Sequence, residues 1–141
     1  MTGFDALRAL ALDDTLTLPI ASHPALLGTR ASADGLAPAV LFGLLPRLAG
    51  ADLTIYPSFD AGYRMSKEEC ISVAVNSRQP WDHLLSTMPA VGGRMGVERI
   101  AELTACLGRE VVFVLGSRIQ QHQQGVVAAI DDFQMMLTRS V

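Results

Sequence analysis

Two short apolar stretches that end in small residues carry the clearest chemical signal in the sequence. The first, Ser86–Arg94, runs into a glycine pair, and the second, Val111–Ser117, ends in Gly-Ser. Small residues at the end of a strand let a ligand approach the backbone, and the free N–H groups at the start of a following helix attract anions. Either tip alone is explained by the turn after a strand. Because the two tips occur in consecutive units, the sequence favours a phosphate site at Gly92, Gly93, Gly116 and Ser117.

A histidine and a group of polar residues are further candidates. His23 follows the first predicted strand, and an imidazole there either exchanges protons with a substrate or hydrogen-bonds a backbone carbonyl. The longest strand-to-helix loop holds a polar group that either contacts substrate or is simply solvated. Its members are Ser58, Asp60, Tyr63 and Arg64.

Arginines follow both small-residue tips. Arg94 comes directly after Gly93 and either grips a phosphate or pairs with an acid such as Glu98. Arg118 follows Gly116-Ser117 in the same way. Together with Ser58 and Asp60, Arg94 is therefore a candidate for a substrate loop.

The composition bounds the class of protein. A chain of 141 residues predicts one domain over residues 1–141, with a core of its own. Hydrophobic residues make up 50% and charged residues only 18%, which hints at a buried interface. The net charge of −3 with scattered basic residues argues against nucleic-acid binding. No apolar run is long enough to cross a bilayer and no signal peptide precedes the first helix, so we expect a cytoplasmic protein without a membrane partner.

The cysteines and the remaining histidines predict no metal site. Cys70 and Cys106 lie within apolar helical patterns and are expected as buried free thiols. They lack metal-ligand spacing, and so do His83 and His122.

Short apolar runs alternate with helical patterns along the whole chain. The strands are predicted over 15–21, 52–56, 87–91 and 110–115, and the helices over 4–12, 36–49, 67–76, 97–107 and 123–137. This order predicts a parallel sheet covered by helices, and four βα units make about half of a (β/α)8 barrel. An open Rossmann-like sheet is the alternative, but neither a Gly-x-Gly-x-x-Gly nor a Walker lysine motif is present.

Several residues make these elements specific. Pro19 predicts that the first strand lies at an edge, and Pro46 predicts a kinked helix. Ser66 with Glu69 predicts a capping box, and Gly108 a C-cap. The residues predicted to face the core are Phe4, Leu7, Leu10 and Ala11 in the first helix, Val97, Ile100, Ala101, Leu103 and Leu107 in the fourth, and Val126, Val127, Ile130, Phe133 and Leu137 in the last.

Six segments in matching order resemble the C-terminal part of RuBisCO-like proteins, the non-carboxylating relatives of the RuBisCO large chain. They are Leu18–Ala25, Gly35–Gly43, Arg47–Asp52, Tyr56–Ser58, Pro89–Gly93 and Leu115–Ser117. The resemblance implies that the four strands are barrel strands five to eight. It implies enolisation of a phosphorylated ketose or diketone by an enolase, isomerase or decarboxylase, with Mg²⁺ in the full-length proteins. It also implies that His23 lies near the reacting carbons as a catalytic residue, and that Gly92, Gly93, Gly116 and Ser117 hold the substrate phosphate.

The chain departs from the RuBisCO pattern at several positions. Pro24 stands where RuBisCO has a phosphate-binding arginine, and Val91 stands where it has a serine. A strand-six histidine and the mobile-loop lysine have no counterparts, so carboxylation is not expected. The metal site, a carbamylated lysine with an Asp–Glu pair, and the general-base lysine lie on strands that this chain does not contain. We therefore expect the chain alone to bind no Mg²⁺ and to be inactive, because an enolate needs both a positive charge and a base.

Two hypotheses follow. In the first, the chain is the C-terminal half of a RuBisCO-like phosphosugar enolase, isomerase or decarboxylase, and it carries the phosphate-binding part of the site. In the second, it is a freestanding half-barrel module with a structural or ligand-binding role. An isolated half exposes two strand edges and an inner face, which favour association. The expected partners are a phosphorylated sugar-like molecule and either a second copy or an N-terminal half-barrel.

Overall fold

Four parallel strands form one sheet, in the same order as they occur in the chain. The computed structural model describes residues 3–25, 35–62 and 64–139, with side chains for all of these except Ser117 and Arg139. The strands are β1 (Ala21–Ser22), β2 (Leu53–Pro57), β3 (Met88–Gly92) and β4 (Val112–Val114). The predicted parallel sheet is therefore confirmed, and each predicted strand after the first lies within two residues of its observed bounds. The loop predicted over 28–35 lies outside the described residues apart from Gly35.

Helical segments connect the strands. They are α1 (Phe4–Ala11), α2 (Leu45–Leu48) after a π-helical segment (Ala39–Leu44), α3 (Lys67–Arg78), α4 (Ile100–Leu107) after a 3₁₀ turn (Val97–Arg99), α5 (Gly116–Gln120) and α6 (Gly125–Arg139). The Ser66–Glu69 capping box at the start of α3 is present in both directions, and Gly108 ends α4 with a positive φ of 85°. None of the helices in the described ranges has the length and apolar character that a membrane crossing requires.

The core lies between one face of the sheet and the helices. Thr54 and Tyr56 of β2 are buried, and the Thr54 hydroxyl donates a hydrogen bond to the carbonyl of Phe42 in the π-helical segment. Because side chains alternate along a strand, every second residue of β2 and its register partners point towards the helices. The largest members of this core include Leu41, Phe42, Tyr56, Val73, Val91, Leu103 and Leu107.

The opposite face of the sheet is only partly covered. The register places Leu53 beside Met88 and Gly92 beside Val114, so these residues share the face that points away from the core. Met88 is 40% exposed and Val114 is 38% exposed. An apolar sheet face with this exposure is the inner face expected of a half barrel.

The first strand is much shorter than predicted. The apolar run from residue 15 was expected to pair, yet only Ala21 and Ser22 enter the sheet, and Leu18 is 72% exposed. The strand has one neighbour, β2, among the described residues, and Pro19 has no N–H to donate to a ladder. The segment is fixed instead by Asp52, whose carboxylate accepts from the Ile20 N–H at 2.7 Å.

Pro46 lies where the helical segment before β2 changes its geometry. The π-helical residues Ala39–Leu44 run directly into α2, and Leu44 and Leu45 at the junction both have right-handed helical backbone angles. A proline inside a helix removes a hydrogen bond, and a wider π-helical turn upstream of it is one way in which a helix adjusts to that loss. The kink predicted at Pro46 stays a prediction.

The helices at the two ends of the chain are less buried than predicted. No residue of α1 is buried. In α6, Val126, Val127 and Ile130 are 48%, 74% and 41% exposed, while Ala129 is buried. Ala101 of α4 is exposed as well. Periodicity identifies an apolar face of each helix, but how far that face is buried depends on what packs against it, which the pattern does not show.

The two cysteines differ in their surroundings. Both are free, as predicted, but only Cys70 is buried, whereas Cys106 is half-buried. Burial raises the pKa of the Cys70 thiol to about 11, so this thiol stays protonated at neutral pH and is a poor nucleophile.

Arg47 holds the connection between α3 and β3, a role that the sequence does not reveal. It is 4% exposed. Its guanidinium donates to the carbonyls of Gln79, Leu84 and Leu85 at 2.6, 2.8 and 2.7 Å, and it lies 5.8 Å from the ring centroid of Trp81. A planar group with five donors can satisfy several carbonyls at once, which an ammonium cannot do in the same geometry.

Arg47→Ala is expected to lower the free energy of unfolding by about 3 kcal/mol, because three carbonyls lose a charged donor. The free energy of unfolding of Arg47→Lys is expected to lie between those of the unaltered chain and Arg47→Ala. The matched control is Arg109→Ala, an exposed position, for which a change within about 0.5 kcal/mol is expected. Urea unfolding followed by circular dichroism measures all three, and equal stability of Arg47→Ala and Arg109→Ala would contradict the role given to Arg47.

Candidate functional site

The predicted site residues gather at one edge of the sheet. Because all four strands are parallel, their carboxyl ends point the same way, and this is the edge at which (β/α)8 enzymes bind substrate. The residues that follow the four strand ends are His23, Ser58, Gly93 and Leu115 with Gly116. The parallel sheet thus brings these four segments to one edge.

The tips of β3 and β4 differ in their packing. Gly92 is buried, and a Cβ added to it would lie 3.1 Å from the Cβ of Val114, so a side chain there would press on β4. Gly93 has a φ of 93°, a conformation that favours glycine. Gly116 begins α5, is exposed and has open space around the position of a Cβ. Room for a ligand against the main chain is therefore present at Gly116; of Ser117, only the backbone is placed.

Arg94 reaches across from β3 to the loop after β2. Its own φ is 48°, which is uncommon for a residue with a side chain. Its Nη1 lies 3.2 Å from the position of a Cβ on Gly62, which itself has a φ of 81°. Within the described ranges its guanidinium makes no ion pair, so the considered pairing with Glu98 is not observed. An exposed cation is thus held beside the glycine tip.

The polar group after β2 is divided between the interior and the solvent. Ser58 is fully buried, and its hydroxyl donates to the Phe59 carbonyl at 3.0 Å. Asp60 is exposed with a φ of 58°, and Arg64 is exposed as well, whereas Tyr63 lies outside the described residues. The Ser58 hydroxyl is engaged by the protein itself, which leaves Asp60 and Arg64 as the accessible members among the described residues of this loop.

Arg99 anchors this loop and was not identified from the sequence. Its Nη1 donates to Ser58 Oγ at 3.3 Å and to the Phe59 carbonyl. Its guanidinium also lies 4.5 Å from the Phe59 ring centroid and pairs with Glu102 at 3.0 Å. The i,i+3 pair with Glu102 is visible in the sequence, but the contacts to a loop 40 residues earlier are tertiary and leave no local signal.

His23 is exposed at the tip of β1. The register pairs Ser22 with Thr54, so His23 follows a strand that ends three residues short of the Pro57–Gly92–Val114 row. A stagger of this kind is the geometry of strands that tilt around a barrel.

The described residues do not form a metal centre of their own. No three of their His, Cys, Asp or Glu side chains lie close enough together to hold a metal ion. His83 pairs with the neighbouring Asp82 at 2.8 Å and His122 pairs with Asp132 at 3.3 Å. The donor set of these residues does not fit Mg²⁺.

Comparison with known proteins identifies the family, although no family model matches the chain. A ribulose bisphosphate carboxylase-like protein from Archaeoglobus fulgidus is 33% identical over 138 residues, which is 96% of this chain and 32% of the relative. A 2,3-diketo-5-methylthiopentyl-1-phosphate enolase from Exiguobacterium sibiricum is 35% identical over 96% of this chain and 34% of its own length. A 5-methylthioribulose-1-phosphate isomerase from Rhodospirillum rubrum is 33% identical over 70% of this chain and 25% of its own length.

Solved structures agree with the sequence comparison. A RuBisCO-like protein from Alicyclobacillus acidocaldarius superposes with a TM-score of 0.85 and 27% identity, over 95% of this chain and 34% of that structure. The chain belongs to the RuBisCO-like proteins of the RuBisCO large-chain superfamily. The four βα units match the C-terminal half of the RuBisCO-like barrel, as the sequence predicted. An archaeal RuBisCO from Hyperthermus butylicus, described as dimeric, shares the fold at 18% identity with a TM-score of 0.78, over 98% of this chain and 36% of that structure.

The chain spans about a third of the length of the RuBisCO-like relatives it matches. The four strands with their tips therefore represent only one part of those proteins.

Arg99→Ala is expected to lower the free energy of unfolding by about 2–3 kcal/mol, since the loop loses charged hydrogen bonds and a cation–π contact. Hydrogen exchange of the amides in residues 58–62 is expected to accelerate. Arg99→Lys keeps the positive charge but loses the planar set of guanidinium donors, so the loss of stability is expected to be smaller than in Arg99→Ala. Glu102→Gln removes only the half-exposed ion pair and serves as the control, with an expected loss below about 1 kcal/mol. Unchanged exchange in Arg99→Ala would refute the anchoring role.

Proposed function

We propose that this chain supplies the phosphate-binding half of a RuBisCO-like enolase or isomerase site, and that its substrate is a phosphorylated sugar-like molecule. The observation that carries the proposal is the pairing of the glycine tips at the carboxyl ends of β3 and β4, where Gly92 lies beside Val114 and Gly116 has open space around it. The two relatives with named activities both act on 1-phosphate esters of five-carbon chains by their names. A C-terminal barrel half contributes the phosphate grip rather than the complete reaction.

The backbone at the tips is suited to a phosphate. Gly116 has open space where a Cβ would stand, so a phosphate oxygen can approach its N–H directly, and Gly93 supplies a second main-chain N–H at the neighbouring tip. Gly116 also begins a helical turn, where the first N–H groups have no partner within the helix. Ser117 follows Gly116 and adds one more backbone N–H to this set. The phosphate is held by hydrogen bonds from neutral donors.

Arg94 adds the charge that these neutral donors lack. A guanidinium binds phosphate through two parallel hydrogen bonds, and Arg94 stands immediately after Gly92 and Gly93. The left-handed backbone of Arg94 costs free energy and directs the side chain across the β2 loop, over Gly62. Strain of this kind at an exposed charged residue is typical of a ligand-binding position.

His23 lines the same edge from the side of β1. An exposed imidazole at a strand tip can hold or transfer a proton at a substrate carbon or oxygen. Asp60 extends from the loop between His23 and the glycine tips and contacts the polar part of the substrate. Enolisation also needs a base and a positive charge that other strands of the family supply, so this half alone is inactive and the full reaction requires a completed barrel.

Inorganic phosphate is expected to shift the backbone amide resonances of Gly92, Gly93 and Gly116 in an ¹⁵N-labelled chain. Arg94→Gln is expected to weaken the phosphate affinity about tenfold, which corresponds to the loss of about one charged hydrogen bond. Arg109→Gln removes an equal charge at the amino end of β4 and is expected to leave the affinity unchanged. Shifts that avoid the glycine tips, or equal affinities for the two variants, would overturn the phosphate assignment.

A second candidate function is a freestanding half-barrel module that pairs with itself. It is favoured by the exposure of Val114 on the inner face and of Val127 at the end of the sheet. Two copies related by a two-fold axis along the barrel would join β4 of each copy to β1 of the other, with all eight strands parallel. An N-terminal half-barrel with strands one to four would cover the same surfaces.

The assembly state separates the two candidates. When the chain is co-expressed with the N-terminal barrel half of the Archaeoglobus relative, we expect a one-to-one complex by light scattering, and we expect Val114→Lys to abolish it, because a lysine cannot be buried on the inner face. Val75→Lys, on the outer side of α3 and similarly exposed, is the control. A stable homodimer that Val114→Lys dissociates would favour the freestanding module. Failure of both assemblies would contradict the need for a second half.

A further inference from the structure

A cavity of about 230 Å³ lies behind the tips of β3 and β4, on the side of α6. It is bounded by the segment that leads into α4, by α5 and by the middle of α6. This volume is several times the roughly 30 Å³ that one water occupies in the liquid, and it is smaller than the sites that hold drug-sized ligands. The cavity therefore suits a small organic molecule.

The floor of the cavity is apolar and well packed. Met95, Leu115 and Ala129 are buried, with exposures of 2%, 8% and 5%, and Ile119 is half-buried beside them. These four side chains come from three separate segments, so the floor is formed by tertiary packing. A floor of this kind favours an aliphatic group of the ligand.

Two side chains of opposite charge lie at the rim of the cavity and do not pair with each other. Glu98 and Arg118 both line the cavity and are exposed. Across the described ranges neither is part of an ion pair. The Glu98 carboxylate curls back over Gly96, where a Cβ would collide with it. A ligand that carries an ammonium and a carboxylate would complement both side chains.

The third wall holds a paired histidine and aspartate. Nδ1 of His122 accepts a hydrogen bond from the Gln124 N–H at 3.3 Å, and its Nε2 lies 3.3 Å from the Asp132 carboxylate. These two side chains therefore have partners within the protein, whereas Glu98 and Arg118 make no ion pair among the described residues.

We propose that this cavity is a binding site for a small neutral α-amino acid with an aliphatic side chain, in which Arg118 binds the carboxylate, Glu98 binds the ammonium, and the apolar floor receives the side chain. The site faces α6 rather than the open inner face of the sheet, and the proposal does not rest on phosphate binding at the glycine tips.

L-leucine is the probe, titrated into the full chain with calorimetry and with amide resonances as the two readouts. Leucine is expected to bind and to shift the amides of Gly96, Ile119 and Ala129. Two blocked analogues test the charges: N-acetyl-leucine lacks the ammonium, and leucinamide lacks the carboxylate. Each is expected to bind at least about tenfold more weakly than leucine, because a rim charge is left without its partner.

The variants separate the contributions. Arg118→Gln is expected to remove the preference for leucine over leucinamide, whereas the control Arg109→Gln keeps it. Ala129→Leu places a larger side chain in the cavity and is expected to abolish leucine binding. Because this substitution can also perturb folding, the proposal is judged on Arg118→Gln, which changes an exposed residue. Absence of leucine binding, or leucinamide binding as tightly as leucine to the unaltered chain, would overturn the proposal. Phosphate binding at the glycine tips is measured separately, so the outcome for leucine does not affect the interpretation of phosphate binding.

Discussion

The parallel direction of the four strands is the constraint on which the rest of the structure depends. Each strand must be followed by a helical return before the next can pair with it, so all four carboxyl ends meet at one edge. That edge collects His23, the β2 loop and the glycine tips, although these segments are separated by as much as 93 positions in the sequence. The same constraint sends the helices to one face of the sheet and leaves the other face for a further part of a barrel.

Arginines hold the successive βα units together. Arg47 joins the helical segment before β2 to the connection before β3, and Arg99 joins α4 to the loop after β2. Arg78, at the end of α3, donates to the carbonyls of Leu107 and Glu110 at 2.7 and 3.0 Å. In each case a guanidinium donates to main-chain carbonyls of another element. Its several donors can satisfy more than one carbonyl, whereas a backbone N–H supplies one donor. A chain with few charged residues thus uses several of its arginines inside the fold.

The sequence predicts the fold well and the site only in part. Strand order, the α3 capping box and the shared edge follow from local signals: apolar runs, Ser66 with Glu69, and glycines at tips. The failures have a common cause. What packs against each segment decides the length of β1 and the burial of Val127 and Ser58. Periodicity carries no information about that packing partner. Arg47 and Arg99 were missed for the same reason, since they donate to carbonyls 32 to 40 residues away.

The two-residue ladder of β1 has a consequence for how the site is assembled. His23 is attached to the shortest strand of the sheet, which pairs with β2 through Ala21 and Ser22 and is held further by the bonds between Ile20 and the start of β2. Local opening costs least where few hydrogen bonds are broken, so this edge opens more readily than the β2–β3 pair. A partner strand added on the free side of β1 would give it a second set of backbone hydrogen bonds. Completion of the barrel would then restrict the motion of β1 and, with it, the position of the His23 imidazole.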